Sequence, residues 1–184
     1  MGTLSLKGVV KKYGATTAVD HIDLDVADGE FFVILGPSGA GKTTTLKSIA
    51  GLVDIDEGQV FINGVDMTYV EPYHRNVAMA FESYALYPQK TVKENLASPL
   101  RSGRTGSYSD AQQQERIDMV TGTLGIKHLQ ARLPKELSNG QRQRTALGRV
   151  LVRPADIYLL DEPLSHLDAK LRASMRAELK AIAQ

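Results

Sequence analysis

Gly36-Pro37-Ser38-Gly39-Ala40-Gly41-Lys42-Thr43 is the stretch on which the reading of this chain turns. It satisfies the pattern G-x-x-x-x-G-K-[ST] at every position. Its glycines allow successive backbone N–H groups to turn inward and surround a phosphate. A helix starting near Gly41 adds the positive end of its dipole. Lys42 then reaches the β and γ phosphates of a nucleotide, Thr43 offers a hydroxyl to Mg²⁺, and Thr44 follows in the same turn. The context fits. Phe31-Phe32-Val33-Ile34-Leu35 precedes the loop and predicts a strand buried on both faces. Leu46, Ile49 and Ala50 follow at helical spacing until Gly51 stops the helix.

Upstream, Leu4–Val10 and Ala18–Val26 alternate apolar and polar residues and read as strands. Gln59–Ile62 with Asn63-Gly64 predicts a hairpin. Downstream, 101–110 is polar and loop-like. Ser109 or Asp110 is placed to cap a helix through about Leu124, with Ile117, Val120 and Leu124 inward. Ser138 precedes another helix with Ala146, Leu147, Val150 and Leu151 on one face. A last helix would carry Leu167, Leu171, Met175, Leu179 and Ile182 on one side.

Ile157-Tyr158-Leu159-Leu160 is a short apolar strand ending in Asp161-Glu162. The expectation is that it lies beside the phosphate-loop strand, with its carboxyl end at the same crevice. Asp161 is then set to hold Mg²⁺ through water, and Glu162 to orient and polarise an attacking water.

The bulk composition narrows the classes. With 184 residues, the chain fits one domain. A balance of 22 Lys and Arg against 21 Asp and Glu makes no electrostatic case for nucleic acid. The absence of cysteine excludes disulfides, thiol chemistry and cysteine-ligated metals. No window approaches the roughly 18 apolar residues of a membrane span, so any membrane link would go through a partner.

Leu137-Ser138-Asn139-Gly140-Gln141-Arg142-Gln143-Arg144 resembles the LSGGQ signature of the ABC ATPases. Together with the phosphate loop, Asp161-Glu162-Pro163 and Ser165-His166-Leu167-Asp168, it makes the chain similar to that family over nearly its whole length. The stretches Tyr84-Ala85-Leu86-Tyr87-Pro88 and 167–172 look like the bacterial carbohydrate-uptake branch, the maltose and glycerol-phosphate importer type. The resemblance implies an α/β P-loop NTPase core with an N-terminal antiparallel β subdomain. In the domain (1–184), residues 1–84 and 154–184 would form that core and 85–153 a helical insertion. It implies a transport ATPase using ATP and Mg²⁺, which couples hydrolysis to uptake of a carbohydrate or related polyol or phosphate ester. The alternative is a catalytically weak regulatory partner in a heteromeric pair.

The partners implied are a second ABC ATPase subunit, head to tail, membrane permease subunits and, indirectly, an extracytoplasmic solute-binding protein, with the chain peripheral on the cytoplasmic face of the cell membrane. Ser138, Gly140 and Gln141 would then meet the γ-phosphate held by the other subunit. Tyr13 matches the residue that stacks on adenine. Tyr84 and Tyr87 fit either a groove for a helix of the membrane subunit or the core of the insertion. His21, His74 and His128 read as surface or turn residues, while His166 falls in the loop that crosses to the other subunit.

Three departures from the family pattern stand out. Glu82 replaces the Gln that touches Mg²⁺ and the attacking water. It keeps the reach but cannot donate an amide hydrogen bond, and it adds negative charge. ATP binding should survive with altered hydrolysis, so Glu82→Gln should change the turnover rate or its Mg²⁺ dependence; an unchanged profile would remove Glu82 from the site. Asn139 replaces the first glycine of the GG pair, a residue type that tolerates left-handed backbone. Finally, the switch histidine and the C-terminal regulatory domain of this branch would lie beyond Gln184, so truncation and weak turnover are expected of 1–184 alone.

Overall fold

A computed structural model describes residues 2–80, 86–101 and 108–161. They fall into two compact units. The first runs to Met79 and includes Ala155–Asp161; the second is Ala80–Pro154.

The first unit is built on an antiparallel sheet of β1 (Leu4–Tyr13), β2 (Thr16–Val26), β3 (Glu57–Ile62) and β4 (Val65–Asp66), in the order β2-β1-β3-β4. Alternation puts Leu4 and Leu6 of β1 inward. Val9 and Val10 are then buried in succession, which strict alternation forbids. A register shift between Leu6 and Val9, with Gly8 at φ 56°, supplies the bulge that turns both inward. Between β2 and β3 comes α1 (Lys42–Ala50). It closes in a Schellman motif, with Gly51 N–H donating to Ser48 O and Leu52 N–H to Lys47 O. Ile49 and Ala50 pack with Leu4, Leu6, Val9, Val19, Val60, Ile62 and Leu159 into one apolar core. The Asn63-Gly64 hairpin forms as expected, between β3 and β4.

A second, two-stranded sheet pairs β5 (Val77–Ala80) with β6 (Ile157–Leu160). Here two expectations are corrected. Residues 31–35 form no strand, with Phe32, Val33 and Leu35 exposed, Leu35 to 87%. β6 pairs with β5 and not with that run. An apolar run becomes a buried strand only where neighbours take its N–H and C=O groups, and no described strand does so here.

The second unit is helical: α2 (Val92–Ala97), α3 (Asp110–Thr123) and α4 (Asn139–Leu151). Each starts at a capping box, with Thr91 and Glu94, Ser109 and Gln112, and Ser138 and Gln141 as the reciprocal pairs. Ile117, Val120 and Leu124 point inward as expected. On α4 the buried ridge is Gln143, Leu147, Gly148 and Leu151, while Ala146 and Val150 are only half-buried. Gly148 sets that ridge, because a Cβ there would press on Leu96, Val120 and Leu124. Buried Asn95 on α2 accepts from Tyr87 N–H and donates to the carbonyls of Tyr87, Lys90 and Thr91, pinning the 87–91 turn. Among the described residues no helix is long and apolar enough to cross a membrane. The expected helix over 167–182 lies outside them.

Candidate functional site

The loop 36–40 is exposed and runs directly into α1. Gly41, the N-cap, has φ 83°, and a Cβ there would overlap the carbonyl oxygen of Ala18 on β2. Glycine is thus required twice, for the left-handed turn and for the close backbone approach. No side chain caps α1. Its first-turn N–H groups and the positive end of its dipole therefore face outward, the arrangement that receives an anion.

Lys42, the first residue of the helix, folds back over the loop. Its Nζ donates to Gly36 O at 2.8 Å and Pro37 O at 2.9 Å, which stretches the ammonium across the loop mouth. Thr43 Oγ1 donates to Asp161 Oδ2 at 2.8 Å. Asp161, at the end of β6, is only 8% exposed. A hydroxyl and a carboxylate side by side are the oxygen donors a hard cation such as Mg²⁺ takes, since it binds through one or two protein ligands and keeps several waters. Thr44 is half-buried, and its carbonyl accepts from Ser48 Oγ at 2.9 Å.

Tyr13 ends β1 with its ring 49% exposed and Lys11 Nζ 5.4 Å from its centroid. The same hairpin carries Ala18, against which Gly41 sits. Lys42, Thr43 and Asp161 are thus brought together around the loop. Glu82 and Glu162 lie outside the described residues.

In the helical unit Ser138 caps α4. Its Oγ accepts from Gln141 N–H at 3.3 Å, and Gln141 Oε1 accepts from Ser138 N–H at 2.9 Å. Gly140 lies in the first turn. Asn139 is helical, so its tolerance of left-handed backbone is not called upon. Tyr87 is a surface residue and not core. Lys90 Nζ lies 4.5 Å and the Arg149 guanidinium carbon 4.6 Å from its ring centroid. Tyr84 lies outside the described residues. Of the histidines, His21 is exposed beside Asp20, His74 sits edge-on to Tyr73, and His128 is in a single 3₁₀ turn. No metal-type cluster of His, Asp and Glu occurs among the described residues.

Arg75, Asn76 and Asp156 were not singled out by the sequence. Arg75 is 4% exposed and hydrogen-bonds four main-chain carbonyls. A lone Arg in Pro72-Tyr73-His74-Arg75-Asn76 carries no local signal of burial, because two of its carbonyl partners, Ser48 and Ile49, lie at the end of α1.

Residues 19–165 match the family model described as ABC transporter. The chain is 49% identical over 180 residues to the xylose/arabinose import ATP-binding protein of Haloferax volcanii, covering 98% of this chain and 46% of that protein. It is 47% identical over 182 residues to an sn-glycerol-3-phosphate import ATP-binding protein of Rhizobium johnstonii, covering 99% of this chain and 48% of that protein. The chain therefore spans about half the length of the curated relatives it matches. It superposes on the dimeric post-hydrolysis structure of an ATP-binding cassette bound to ADP and Pi, with a TM-score of 0.85 at 30% identity, covering 98% of this chain and 83% of that one.

Proposed function

Since the chain belongs to the ABC transporter family of ATP-binding cassettes, we propose that it binds and hydrolyses ATP as the energy-coupling subunit of an importer for a carbohydrate or a related polyol or phosphate ester. The observation that carries this is the cluster at the start of α1: an uncapped helix end, Lys42 across the loop mouth, and Thr43 bonded to Asp161.

In this reading Lys42 exchanges two loop carbonyls for the β and γ phosphates, and the N–H groups after Gly36 take the remaining phosphate oxygens. Thr43 and Asp161 would hold Mg²⁺, which when bound neutralises charge on the phosphates. Tyr13 stacks on the base, Glu162 orients the water, and Glu82 reaches the same water. Ser138, Gly140 and Gln141 present the start of α4 to the γ-phosphate on a second, head-to-tail subunit. Permease subunits would receive the motion at the cytoplasmic face of the membrane, with a solute-binding protein acting through them. The relatives' names, which specify import of pentoses and glycerol phosphate, support the solute class. Glu82 and Asn139 favour a second reading, a regulatory ATP-binding partner in a heteromeric pair.

Titration with Mg-ATP tests the proposal. Lys42→Ala should weaken binding by about 1.5–3 kcal/mol, roughly 10- to 100-fold in Kd, the value of hydrogen bonds to a charged group. Wild-type protein that binds no ATP would overturn both readings. Binding without phosphate release would select the regulatory one.

A further inference from the structure

Helix α1 is tied to β6 at both of its ends. At its start, Thr43 Oγ1 donates to Asp161 Oδ2 at the carboxyl end of β6. At its finish, Arg75 Nη1 donates to Ser48 O and Ile49 O, both at 3.0 Å. The same guanidinium reaches Thr68 O through Nη2 at 3.2 Å and Val70 O through Nε at 2.8 Å. The next residue, Asn76, meets the amino end of β6. Its Nδ2 donates to Asp156 Oδ2 at 2.9 Å, and its carbonyl accepts from Asp156 N–H at 3.0 Å. The helix and the strand therefore run antiparallel inside a closed frame, with Thr43–Asp161 as one rung and Arg75-Asn76–Asp156 as the other.

The second rung is costly to build. A buried guanidinium is desolvated, and burial lowers the pKa of Arg75 from its ordinary value. Asn76 holds φ 50°, in the left-handed region that asparagine reaches more readily than most side chains. Gly51 leaves room for the arginine, since a Cβ there would run into the guanidinium.

We propose that Arg75 and Asn76 are positioning residues, which set α1 against β6 so that Thr43 and Asp161 stay at bonding distance as a cation-binding pair. This rests on the nucleotide reading above for its cation. Groups that orient the ligands of a metal change its affinity by roughly 10- to 100-fold when removed.

Asn76→Gly is the decisive variant, because glycine keeps the left-handed backbone and the main-chain bond to Asp156 while removing the side-chain bond to it. Two quantities are read on the purified protein. The first is fluorescent ATP-analogue binding, with EDTA and across a Mg²⁺ titration. The second is amide hydrogen exchange along α1, which needs no nucleotide. The expected result is Kd in EDTA unchanged, the Mg²⁺ half-saturation raised roughly tenfold, and faster exchange in the first turn of α1. Asp156→Asn, which keeps a carbonyl oxygen to accept from Asn76, should retain most of the wild-type response. Equal weakening with and without Mg²⁺, or a raised Mg²⁺ half-saturation with no change in exchange, overturns the clamp. So does a lowered Tm with an unchanged Mg²⁺ titration. Wild-type protein that binds no analogue overturns instead the nucleotide reading and the cation role drawn from it, while the exchange comparison still decides whether the frame couples its two ends.

Discussion

Glu162→Gln is expected to leave ATP bound and to slow its hydrolysis by about 10²–10⁴-fold, the usual contribution of a positioned general base. The substitution keeps size and reach but removes the carboxylate proposed to polarise the water. The position follows Asp161, whose carboxylate already bonds Thr43 at the start of α1. Phosphate release under single-turnover conditions, beside retention of bound nucleotide on a filter, measures the two effects separately. Turnover at the wild-type rate would mean that the water is activated by another group, with Glu82 the first to examine.

Gly41→Ala should be severely damaging to the first unit. The left-handed backbone at φ 83° costs an L-residue about 1–2 kcal/mol. The added Cβ also overlaps the Ala18 carbonyl, and that oxygen is main chain of β2, so no side-chain rotation relieves the clash. Relief requires moving the loop away from β2 or unwinding the first turn of α1. A loss of about 3 kcal/mol or more is expected, in the upper range for one substitution, together with loss of ATP binding. Urea unfolding checks the first and nucleotide titration the second. An unchanged midpoint would show that the hairpin and the loop are free to separate.

What could be read from the sequence, and what could not, divides by the range of the interaction. Caps bond three residues along the chain, so Ser109 and Ser138 announce their helices in the sequence itself, as Gly51 announces the end of α1. The Asn63-Gly64 turn and the four apolar residues of β6 are legible for the same reason. The phosphate loop with Lys42, Thr43 and Asp161 is recognisable because each residue type has a chemical duty at a fixed spacing. The run 31–35 misleads, since hydrophobicity states a wish for burial but not which strand will pair with it. Arg75 is silent because two of its four carbonyls come from α1, more than twenty residues away, and Asn95 because its carbonyls belong to the irregular 87–91 turn, which no repeat announces. Asn139 tolerates unusual backbone but does not use it, because the Ser138 cap starts the helix at that residue.

The irregular pairing of β2 with β1 has a further outcome. β2 is an outer strand of its sheet, yet its ladder is interrupted three times, His21 turns left-handed at φ 45°, and Asp20, Asp23 and Asp25 line its exposed length. A second strand offered to that margin would meet broken register and a row of like charges. The opposite margin, β4, is two residues long and too short to template anything. Sheet extension from one molecule to the next is thereby discouraged at both sides of this sheet.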